Sequence, residues 1–565
     1  MRRALILILA LRLVLGLSYS ALNPLGEAPD EADHYAYAAY IGREASLPTG
    51  TTMTQAKHPP LYHLLAAGVA SWTGMDFTFL RSNPDVGFTP TAAPNFFIHT
   101  TLESWPWRGG ALAMHLGRLV SVLAGLVLTA ATYGLGRAMW PRRPLLALAA
   151  AAFAAFLPEG LFIGAAMSND MLAAMFITLA LWAAWRRDLF GAILSGAAMG
   201  LAVLSKASTI ALWPVACLII LCAPRPSRRS FGRTVLAWII AVAIISPWLL
   251  RNWQLFGDPL GMKVVLATID RRQGPLGALE LAKLARGWFF SFWGKFGGAG
   301  QLSLPTPFYI LWGVLLGAAG AGWLRWGAEY RRSRQGLLAE TLPVDIVILV
   351  GAPVLAVFSI LSYSQIALGT DQGRLLFPAL APLSFLIAGG LAAWVPAQRA
   401  SLALGIWSGL LAAMAVIALV TGIVLPFAPP RPIAAQPAQA SPLQALFGPG
   451  LQLLAVQPSM ADGELTLYWQ AQAPIKQDLR ATLRLLDRDG NLLWEWKRSP
   501  GAGRFSTDRW TTGEVVADTY QPPPQQLAQT ARVELGVYTF PDGGWMAPGN
   551  SQGGEFLALP VETKR

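Results

Sequence analysis

A series of apolar runs constrains the fold of this chain more than any other sequence feature. Most runs approach the length of about 20 residues that a helix needs to cross a bilayer. Hydrophobic residues make up 54% of the 565 residues and charged residues 13%, whereas soluble domains carry about 25% charge. This composition excludes a cytosolic enzyme, a disordered chain and a fibrous protein. It predicts an all-α polytopic membrane protein with about eleven spans, ten of them at His115–Met139, Leu145–Leu157, Ser168–Trp185, Phe190–Leu204, Ala207–Ala223, Thr234–Leu250, Phe308–Trp326, Val344–Tyr363, Leu375–Val395 and Ser401–Leu425.

The remaining run, Met1–Ala21, reads either as a signal peptide or as a first span. Arg12 in its middle favours an uncleaved helix. Arginine clusters follow alternate runs, and such clusters mark cytoplasmic loops. They place the N-terminus on the cytoplasmic side of the membrane. They also account for the net charge of +12 without a nucleic-acid partner. The clusters include Arg2 and Arg3, Arg137 to Arg143, Arg186 and Arg187, Arg225 to Arg233, Arg325 to Arg334, and Arg399.

Two segments on the opposite side of the membrane are polar. The first is a long loop at about 23–110, and a loop of this length is usually functional. The second begins with a Pro/Ala-rich linker at 426–450 and continues with period-two alternation from Leu451, which predicts a β-sandwich over 451–565. The membrane domain is therefore expected at 1–425. In the sandwich, four tryptophans either stack on sugars or fill the core: Trp469, Trp494, Trp496 and Trp510.

The first loop carries two candidate groups soon after the first run. Asp30 and Glu31 are adjacent carboxylates near a membrane surface, where one of them can serve as a general base; a solvated acidic loop is the alternative. Lys57 and His58 precede two prolines and can hold a phosphate, or they form an interfacial pair. The two cysteines, Cys217 and Cys222, share one apolar run, so we expect neither disulfides nor a Cys-based metal site.

Further candidates occupy the outer ends of the spans. They are Arg118, Asn169, Asp170, Lys206, Arg251 and Arg374. Asn169 and Asp170 also fit a plain helix cap. The outward cations depart from the positive-inside trend, and binding of an anion at the outer interface would explain them. A lipid phosphate is the natural anion at that depth.

These motifs, in this order, resemble the polytopic GT-C glycosyltransferases, in particular the protein-mannosyltransferase and aminoarabinose-transferase (family 39-like) group. The resemblance covers about residues 1–395, and the predicted sandwich is an accessory domain outside it. The motifs are Pro29-Asp30-Glu31 with His34, Lys57-His58-Pro59-Pro60-Leu61-Tyr62, Ser168-Asn169-Asp170, Leu204-Ser205-Lys206, Arg251-Asn252-Trp253 with Gly257-Asp258-Pro259, Ser291-Phe292-Trp293-Gly294, and Gly373-Arg374-Leu375-Leu376-Phe377-Pro378.

The resemblance implies a reaction. A sugar moves from a polyprenyl phosphate to an acceptor hydroxyl, usually with inversion, and Asp30 acts as the base. Glu31 then orients Asp30 or binds the acceptor, with Asp33 and His34 nearby. The cations stabilise the departing phosphate. The aminoarabinose transferases carry Lys directly before the Pro-Pro pair, where this chain has His58.

Several points stay open at this stage. No cofactor is required in the mannosyltransferase branch, whereas other GT-C enzymes hold a divalent cation, to which Asp30 and Asp170 contribute only if their loops meet. The acceptor is a protein, a glycan or a lipid. A transporter or flippase for lipid-linked or polar substrates is the alternative function, and it predicts ionisable residues at mid-membrane. A non-catalytic assembly protein is the third reading.

Overall fold

The computed structural model describes residues 1–49, 53–87, 93–222, 227–448, 450–459, 463–549 and 554–560. It divides into two compact units. Unit 1 comprises Met1–Asn23, Ala28–Met75 and Leu112–Val424, and unit 2 comprises Pro24–Glu27, Asp76–Ala111 and Leu425–Arg565. Residues Asp76–Ala111 of the first loop thus group with the C-terminal residues, whereas the predicted membrane domain at 1–425 included the whole loop. Ala223 and Arg225, which belong to a predicted span and a predicted basic cluster, lie outside the described residues.

Unit 1 is mainly helical in the residues that the structure describes, and it includes a short hairpin of β1 (Lys295–Phe296) and β2 (Leu302–Ser303). Its helices are α1 (Arg2–Leu22), α2 (Glu31–Glu44), α3 (Leu61–Ala70), α4 (Gly109–Met139), α5 (Pro144–Phe156), α6 (Pro158–Ile163), α7 (Asp170–Trp185), α8 (Leu189–Ser205), α9 (Trp213–Leu221), α10 (Arg228–Phe256), α11 (Met262–Thr268), α12 (Ala278–Gly294), α13 (Thr306–Ser333), α14 (Leu337–Glu340), α15 (Pro343–Ile346), α16 (Ala352–Ser364), α17 (Leu380–Ala392) and α18 (Ala400–Leu419).

Seven helical segments in the described part of the chain are long and apolar enough to cross a membrane: Arg2–Leu22, Gly109–Met139, Arg228–Phe256, Thr306–Ser333, Pro343–Ser364, Gly373–Ala392 and Ala397–Val424. Four shorter apolar helices lie at Pro144–Phe156, Asp170–Trp185, Leu189–Ser205 and Ala207–Leu221. Together they coincide with the eleven predicted runs. The polytopic helical architecture is confirmed, while the number of crossings and the orientation of the termini stay predictions.

Small residues let the helices of unit 1 approach closely. A Cβ on Gly322 of α13 would lie 1.8 Å from the carbonyl oxygen of Gly390 on α17, and a Cβ on Gly390 would lie 2.2 Å from that of Ala319. Gly196 of α8 meets Ala237 of α10 in the same way, at 2.4 Å from the carbonyl oxygen. Packing through glycine and alanine is the usual way for helices to associate in lipid, where no hydrophobic effect drives them together.

Proline divides the helical chain between α5 and α6. Pro158 follows Leu157, which leaves the helical conformation because a residue before proline disfavours it. The break ends α5 and starts α6 with proline at its first turn, where no backbone N–H is required. The carbonyls around this break accept hydrogen bonds from Arg12, whose Nη1 and Nη2 atoms lie 3.2 Å from the oxygens of Ala155 and Gly160.

Unit 2 contains two antiparallel sheets. One has the order β3-β4-β5-β8, and the other has the order β10-β9-β6-β7 with β11 also paired to β9. The strands are β3 (Ser441–Phe447), β4 (Leu451–Ser459), β5 (Glu464–Ala471), β6 (Asp478–Leu486), β7 (Leu492–Arg498), β8 (Val515–Tyr520), β9 (Arg532–Phe540), β10 (Trp545–Met546) and β11 (Phe556–Leu559); a short helix, α19 (Pro524–Gln529), precedes β9.

The predicted β-sandwich is confirmed. Alternate residues of both sheets, such as Leu467 and Leu483, share one apolar core. The boundary differs, because β3 begins at Ser441, inside the predicted linker. Trp469 and Trp510 are buried in the core, and Trp494 and Trp496 pack against it. These four tryptophans therefore fill and cover the core, as the packing alternative predicted.

Residues of the first loop complete unit 2. Asp85 pairs with Arg480 and also accepts the backbone N–H of Ser499 at 3.0 Å. Asp508 accepts the backbone N–H and the hydroxyl of Thr101 at 3.1 and 2.9 Å. A sheet face that carries a buried arginine needs a carboxylate partner, and the loop supplies it.

His99 links the first segment of unit 2, Pro24–Glu27, to the rest of the first loop. The two ring nitrogens of His99 lie 3.2 Å from Glu27 and 2.9 Å from Glu103. Burial lowers the pKa of His99, but the two carboxylates outweigh that effect and raise it to about 10. His99 is therefore an imidazolium that donates from both nitrogens at neutral pH.

Candidate active site

The predicted base, Asp30, stands immediately before α2 in the left-handed backbone region, with φ at 61°. A residue other than glycine adopts this conformation at a cost, and such strain concentrates at functional sites. Its side chain is 43% exposed, and its carboxylate accepts a hydrogen bond from Arg374 Nη2 at 2.5 Å. Partial burial raises the pKa of Asp30, but the charge and the hydrogen bond of Arg374 hold it well below its usual range.

Arg374 links Asp30 to a second carboxylate. Its Nη1 atom lies 3.2 Å from Asp170, and its Nε atom donates to Gln372 at 2.7 Å. Asp170 also pairs with Lys206 and accepts a hydrogen bond from the Ser168 hydroxyl at 3.1 Å.

We call Asp30, Arg374, Asp170 and Lys206 the charge cluster. Its members alternate in sign, and only Asp30 is substantially exposed, since the side chains of Arg374, Asp170 and Lys206 are 8%, 1% and 13% exposed. The structure therefore brings four of the predicted site residues together from four separate parts of the chain.

Glu31 and Arg118 form a second, fully buried pair beside the charge cluster. Arg118 donates from Nε and Nη2 to the two carboxylate oxygens of Glu31, both at 2.7 Å. Arg118 also donates to the carbonyls of Ser20 and Asn23, and Glu31 accepts the backbone N–H of Met167 at 2.8 Å. These contacts join α1, α2, α4 and the segment before α7. They favour the first of the two roles predicted for Glu31, the orientation of Asp30, and they engage Arg118 with Glu31 and two backbone carbonyls.

Histidines surround the first turn of α2. The Nδ1 atom of His34 lies 2.8 Å from the Nε2 atom of His63 on α3, and both side chains are buried. His58 is half-buried, with its ring centroid 6.0 Å from that of His34. Burial lowers the pKa of His34 to about 4, and it also lowers the pKa values of His58 and His63 well below the ordinary value. All three imidazoles are therefore neutral at physiological pH.

The other predicted residues lie around this group with different contacts. Burial raises the pKa of Asp33, as does the nearby Asp30. Burial lowers the pKa of Lys57, against the pull of Asp30 and Asp33. Both side chains are half-buried. They therefore feel the charge of Asp30 while remaining within reach of solvent.

Two predicted residues hold loops. Arg251 donates to the carbonyl oxygens of Leu47 and Pro48 at 3.3 and 2.6 Å, so its guanidinium is engaged with the backbone after α2. Asn169 donates to the carbonyl of Ser205 at 2.9 Å, which fixes the start of α7 against the end of α8. Both contacts indicate a structural contribution to the site.

Sequence reasoning missed His63 and Glu159. Glu159, at the start of α6, is buried and accepts the backbone N–H of Lys295 at 3.0 Å. Burial raises its pKa to about 8, against the charge of Arg374. The sequence did offer a signal for Glu159, because it is an acidic residue in the predicted outward turn between two apolar runs. His63 lies on the mostly apolar helix α3, and its importance is visible only from its contact with His34 in the folded chain.

The two carboxylates considered for a divalent cation do meet, but through an arginine. Asp30 and Asp170 bind opposite terminal nitrogens of Arg374. Within the described ranges, no group of three or more histidine, cysteine, aspartate or glutamate side chains is arranged to hold a metal ion. These carboxylates, bridged by a guanidinium, therefore do not fit a shared metal site.

Residues 111–250 match the family model described as dolichyl-phosphate-mannose-protein mannosyltransferase. The predicted resemblance to GT-C membrane glycosyltransferases is confirmed. The matched segment spans about a quarter of the chain. It holds Arg118, Asp170 and Lys206, whereas Asp30 and Arg374 lie outside it. No curated protein matches the sequence.

Two solved structures are similar to the chain at low identity. The crystal structure of ArnT from Cupriavidus metallidurans bound to undecaprenyl phosphate has 15% identity and a TM-score of 0.33, covering 69% of this chain and 77% of that one. The cryo-EM structure of the arabinosyltransferase EmbB from Mycobacterium smegmatis has 11% identity and a TM-score of 0.33, covering 98% of this chain and 64% of that one. The candidate active site is therefore supported by the contacts within this chain and not by these similarities.

Proposed function

We propose that this GT-C-like protein transfers a monosaccharide from a polyprenyl-phosphate donor to an acceptor hydroxyl, with inversion, on the extracytoplasmic side of a bacterial plasma membrane. The observation that carries the proposal is the charge cluster, in which the accessible carboxylate of Asp30 pairs with the buried Arg374, and Asp170 links Arg374 to Lys206. The description of the matched family, which names a lipid-phosphate sugar and a protein acceptor, supports this donor class. The sugar and the acceptor of this chain are left open.

The charge cluster suits both the attacking hydroxyl and the leaving phosphate of such a reaction. The acceptor hydroxyl loses a proton as its oxygen attacks the anomeric carbon, and Asp30 is the carboxylate exposed enough to receive it. The bond between that carbon and the phosphate oxygen breaks, and the lipid phosphate leaves with the electron pair. Arg374 and Lys206 then face a growing negative charge, and preorganised cations in a dry site stabilise such charge strongly.

The ion pair between Asp30 and Arg374 implies an order of events. Arg374 holds Asp30 as a weak base, since their ion pair keeps the pKa of Asp30 low. A donor phosphate competes with Asp30 for Arg374, which is fixed from behind by Asp170 and Gln372. As Arg374 turns to the phosphate, the pKa of Asp30 rises towards its ordinary value. Donor binding thereby activates the base.

The experiment compares purified wild type with Asp30→Asn on a panel of polyprenyl-phosphate monosaccharides, and it measures sugar transfer or hydrolysis with and without EDTA. Asp258→Asn is a control, because Asp258 lies in an exposed turn and binds only nearby backbone N–H groups in the described structure. We expect turnover by wild type and by Asp258→Asn, and a loss of at least about 100-fold in Asp30→Asn.

The possible results distinguish the role of Asp30, the transferase, the flippase and a metal requirement from one another. Turnover that survives Asp30→Asn keeps the enzyme but removes Asp30 as its base. Silence of the well-folded wild type on every donor and acceptor tried counts against a transferase. Lipid-linked sugar moved across vesicle membranes, with no transfer, would favour the flippase. Loss of turnover in EDTA that Mg²⁺ restores would show dependence on a metal.

A further inference from the structure

The two helices of the first loop, α2 and α3, bury a pair of histidines that contact each other directly. His34 on α2 and His63 on α3 are 2% and 0% exposed, and their Nδ1 and Nε2 atoms lie 2.8 Å apart. The ring of Tyr37 stacks on His63 with 4.0 Å between centroids. The pair is therefore held rigidly and shielded from water.

The pair lies on the helices that follow the predicted base in the chain. His34 is one helical turn from Asp30, and its backbone N–H donates to the Asp30 carbonyl at 2.9 Å. The titratable and charged groups that face His34 come from several elements of unit 1: Asp30, His58, Tyr62, His63, Asp170, Lys206 and Arg374. The two carboxylates stabilise a positive charge on His34, and the two cations oppose it. A proton on this pair is therefore poorly stabilised, which suits transfer rather than storage.

The hydrogen bond between the rings requires one protonated and one bare nitrogen. If His34 donates from Nδ1, its Nε2 atom is bare and can accept a proton. When that happens, the Nδ1 proton can pass to His63 Nε2. A chain of two imidazoles thus moves a positive charge by about one ring without moving any heavy atom.

A second observation concerns the far end of the pair. His63 also interacts with the backbone carbonyl of Pro59, four residues earlier in the chain. A carbonyl only accepts hydrogen bonds, and the Nε2 atom of His63 faces His34, so this contact favours a proton on Nδ1. A neutral ring protonated on Nδ1 has a bare Nε2 atom, and His34 is then the donor in the hydrogen bond between the two rings. The pair therefore has the proton arrangement that a transfer from His34 to His63 requires.

We propose that His34 and His63 form a proton relay from Asp30, through which the proton of the acceptor hydroxyl leaves the reacting centre. The inference rests on the proposed function. In the reaction the acceptor O–H bond breaks, its oxygen bonds the anomeric carbon, and the lipid phosphate leaves with the electron pair of the broken C–O bond. The proton passes from Asp30 to His34 Nε2 as the Nδ1 proton passes to His63. The new positive charge offsets the negative charge gained by the phosphate, so total charge is conserved.

His63 is a positioning residue in this scheme, since it acts through His34. The test uses His63→Gln, whose amide can hydrogen-bond His34 but cannot relay a proton, and His63→Gly, which leaves a cavity for added imidazole. Tyr37→Phe is the matched control because it keeps the ring that stacks on His63. The full-length protein in detergent is assayed for kcat and KM on the active polyprenyl-phosphate sugar, with thermal unfolding measured in parallel.

We expect His63→Gln to lower kcat by about 100-fold, the usual size of an acid–base contribution, with KM changed less than about threefold. We expect imidazole to restore His63→Gly in proportion to its neutral fraction across a pH series, and Tyr37→Phe to keep wild-type kcat. A structural role would not produce rescue that follows the free base.

Three results would overturn the relay. The first is a kcat for His63→Gln within about threefold of wild type. The second is a loss of kcat that only parallels a fall in unfolding temperature. The third is a folded His63→Gly that imidazole does not rescue. If His63→Gly does not fold, the kcat of His63→Gln decides. These results leave the transferase intact, whereas a wild type silent on every donor removes the proposed function and the relay together.

Discussion

Asp170 is the residue on which the charge cluster depends most. It is 1% exposed and receives hydrogen bonds from two cations and from the Ser168 hydroxyl. Replacing it with asparagine keeps the shape of the side chain and removes one charge. Arg374 would then retain only the exposed Asp30, and Lys206 would lose its carboxylate.

The size of the effect follows from distance and burial. Coulomb's law with an effective dielectric constant of about 20 gives about 5 kcal/mol for unit charges 3.2 Å apart, the separation of Arg374 and Asp170. Breaking a buried pair costs about 3–5 kcal/mol in practice, because the remaining charge is left without compensation. We therefore expect Asp170→Asn to lower the thermal unfolding midpoint by several degrees.

The measurement is thermal unfolding in detergent, with Glu280→Gln as the matched control. Glu280 loses the same charge from an exposed pair with Lys283, 3.3 Å away, and such pairs contribute about 0–1 kcal/mol. A second arm combines Asp170→Asn with Lys206→Met. Removing both partners should cost less than the sum of the single changes, since no unpaired cation is left at that position.

Two outcomes would refute this reasoning. An Asp170→Asn protein as stable as Glu280→Gln would mean that the cluster is well hydrated. Strict additivity in the double variant would mean that Asp170 and Lys206 do not interact energetically. Either result would also weaken the claim that these cations are preorganised for a phosphate.

Three more predictions follow from single contacts. Arg374→Lys should lower kcat by at least about tenfold while the protein stays folded, because one ammonium cannot replace the planar guanidinium that bridges two carboxylates; unchanged kinetics would contradict this. Gly390→Val should lower the unfolding midpoint, because any side chain there meets the carbonyl of Ala319; a stable variant would show that α13 and α17 can separate freely. For His99, whose pKa is raised to about 10, the stabilisation is fully present below pH about 6.5 and is lost as pH rises through 10. The difference in unfolding midpoint between wild type and His99→Gln should therefore shrink from pH 7 to pH 10.5, and a constant difference would contradict the charged histidine.

The sequence determined the features that depend on local pattern. Apolar runs of membrane length predicted the helices of unit 1, and period-two alternation predicted the sandwich, because each pattern is set by the periodicity of its own backbone. The cations predicted to face outward were also recognisable from the local sequence, because Lys206 and Arg374 lie where the positive-inside trend does not explain them. Asp30 was recognisable from its position just after the first run.

Only the tertiary structure decided which of these residues meet. Arg374 contacts Asp170 across 204 positions of sequence and Asp30 across 344, and no local pattern encodes a contact of that range. The same holds for Asp85, which pairs with an arginine 395 positions away and so draws half of the first loop into unit 2. Glu31 and Arg118 were both candidate site residues in the sequence, and only the fold shows that they bury their charges against each other. Burial, unlike periodicity, is a property of the packed chain, and it distinguishes this enclosed pair from Asp30, whose side chain is 43% exposed.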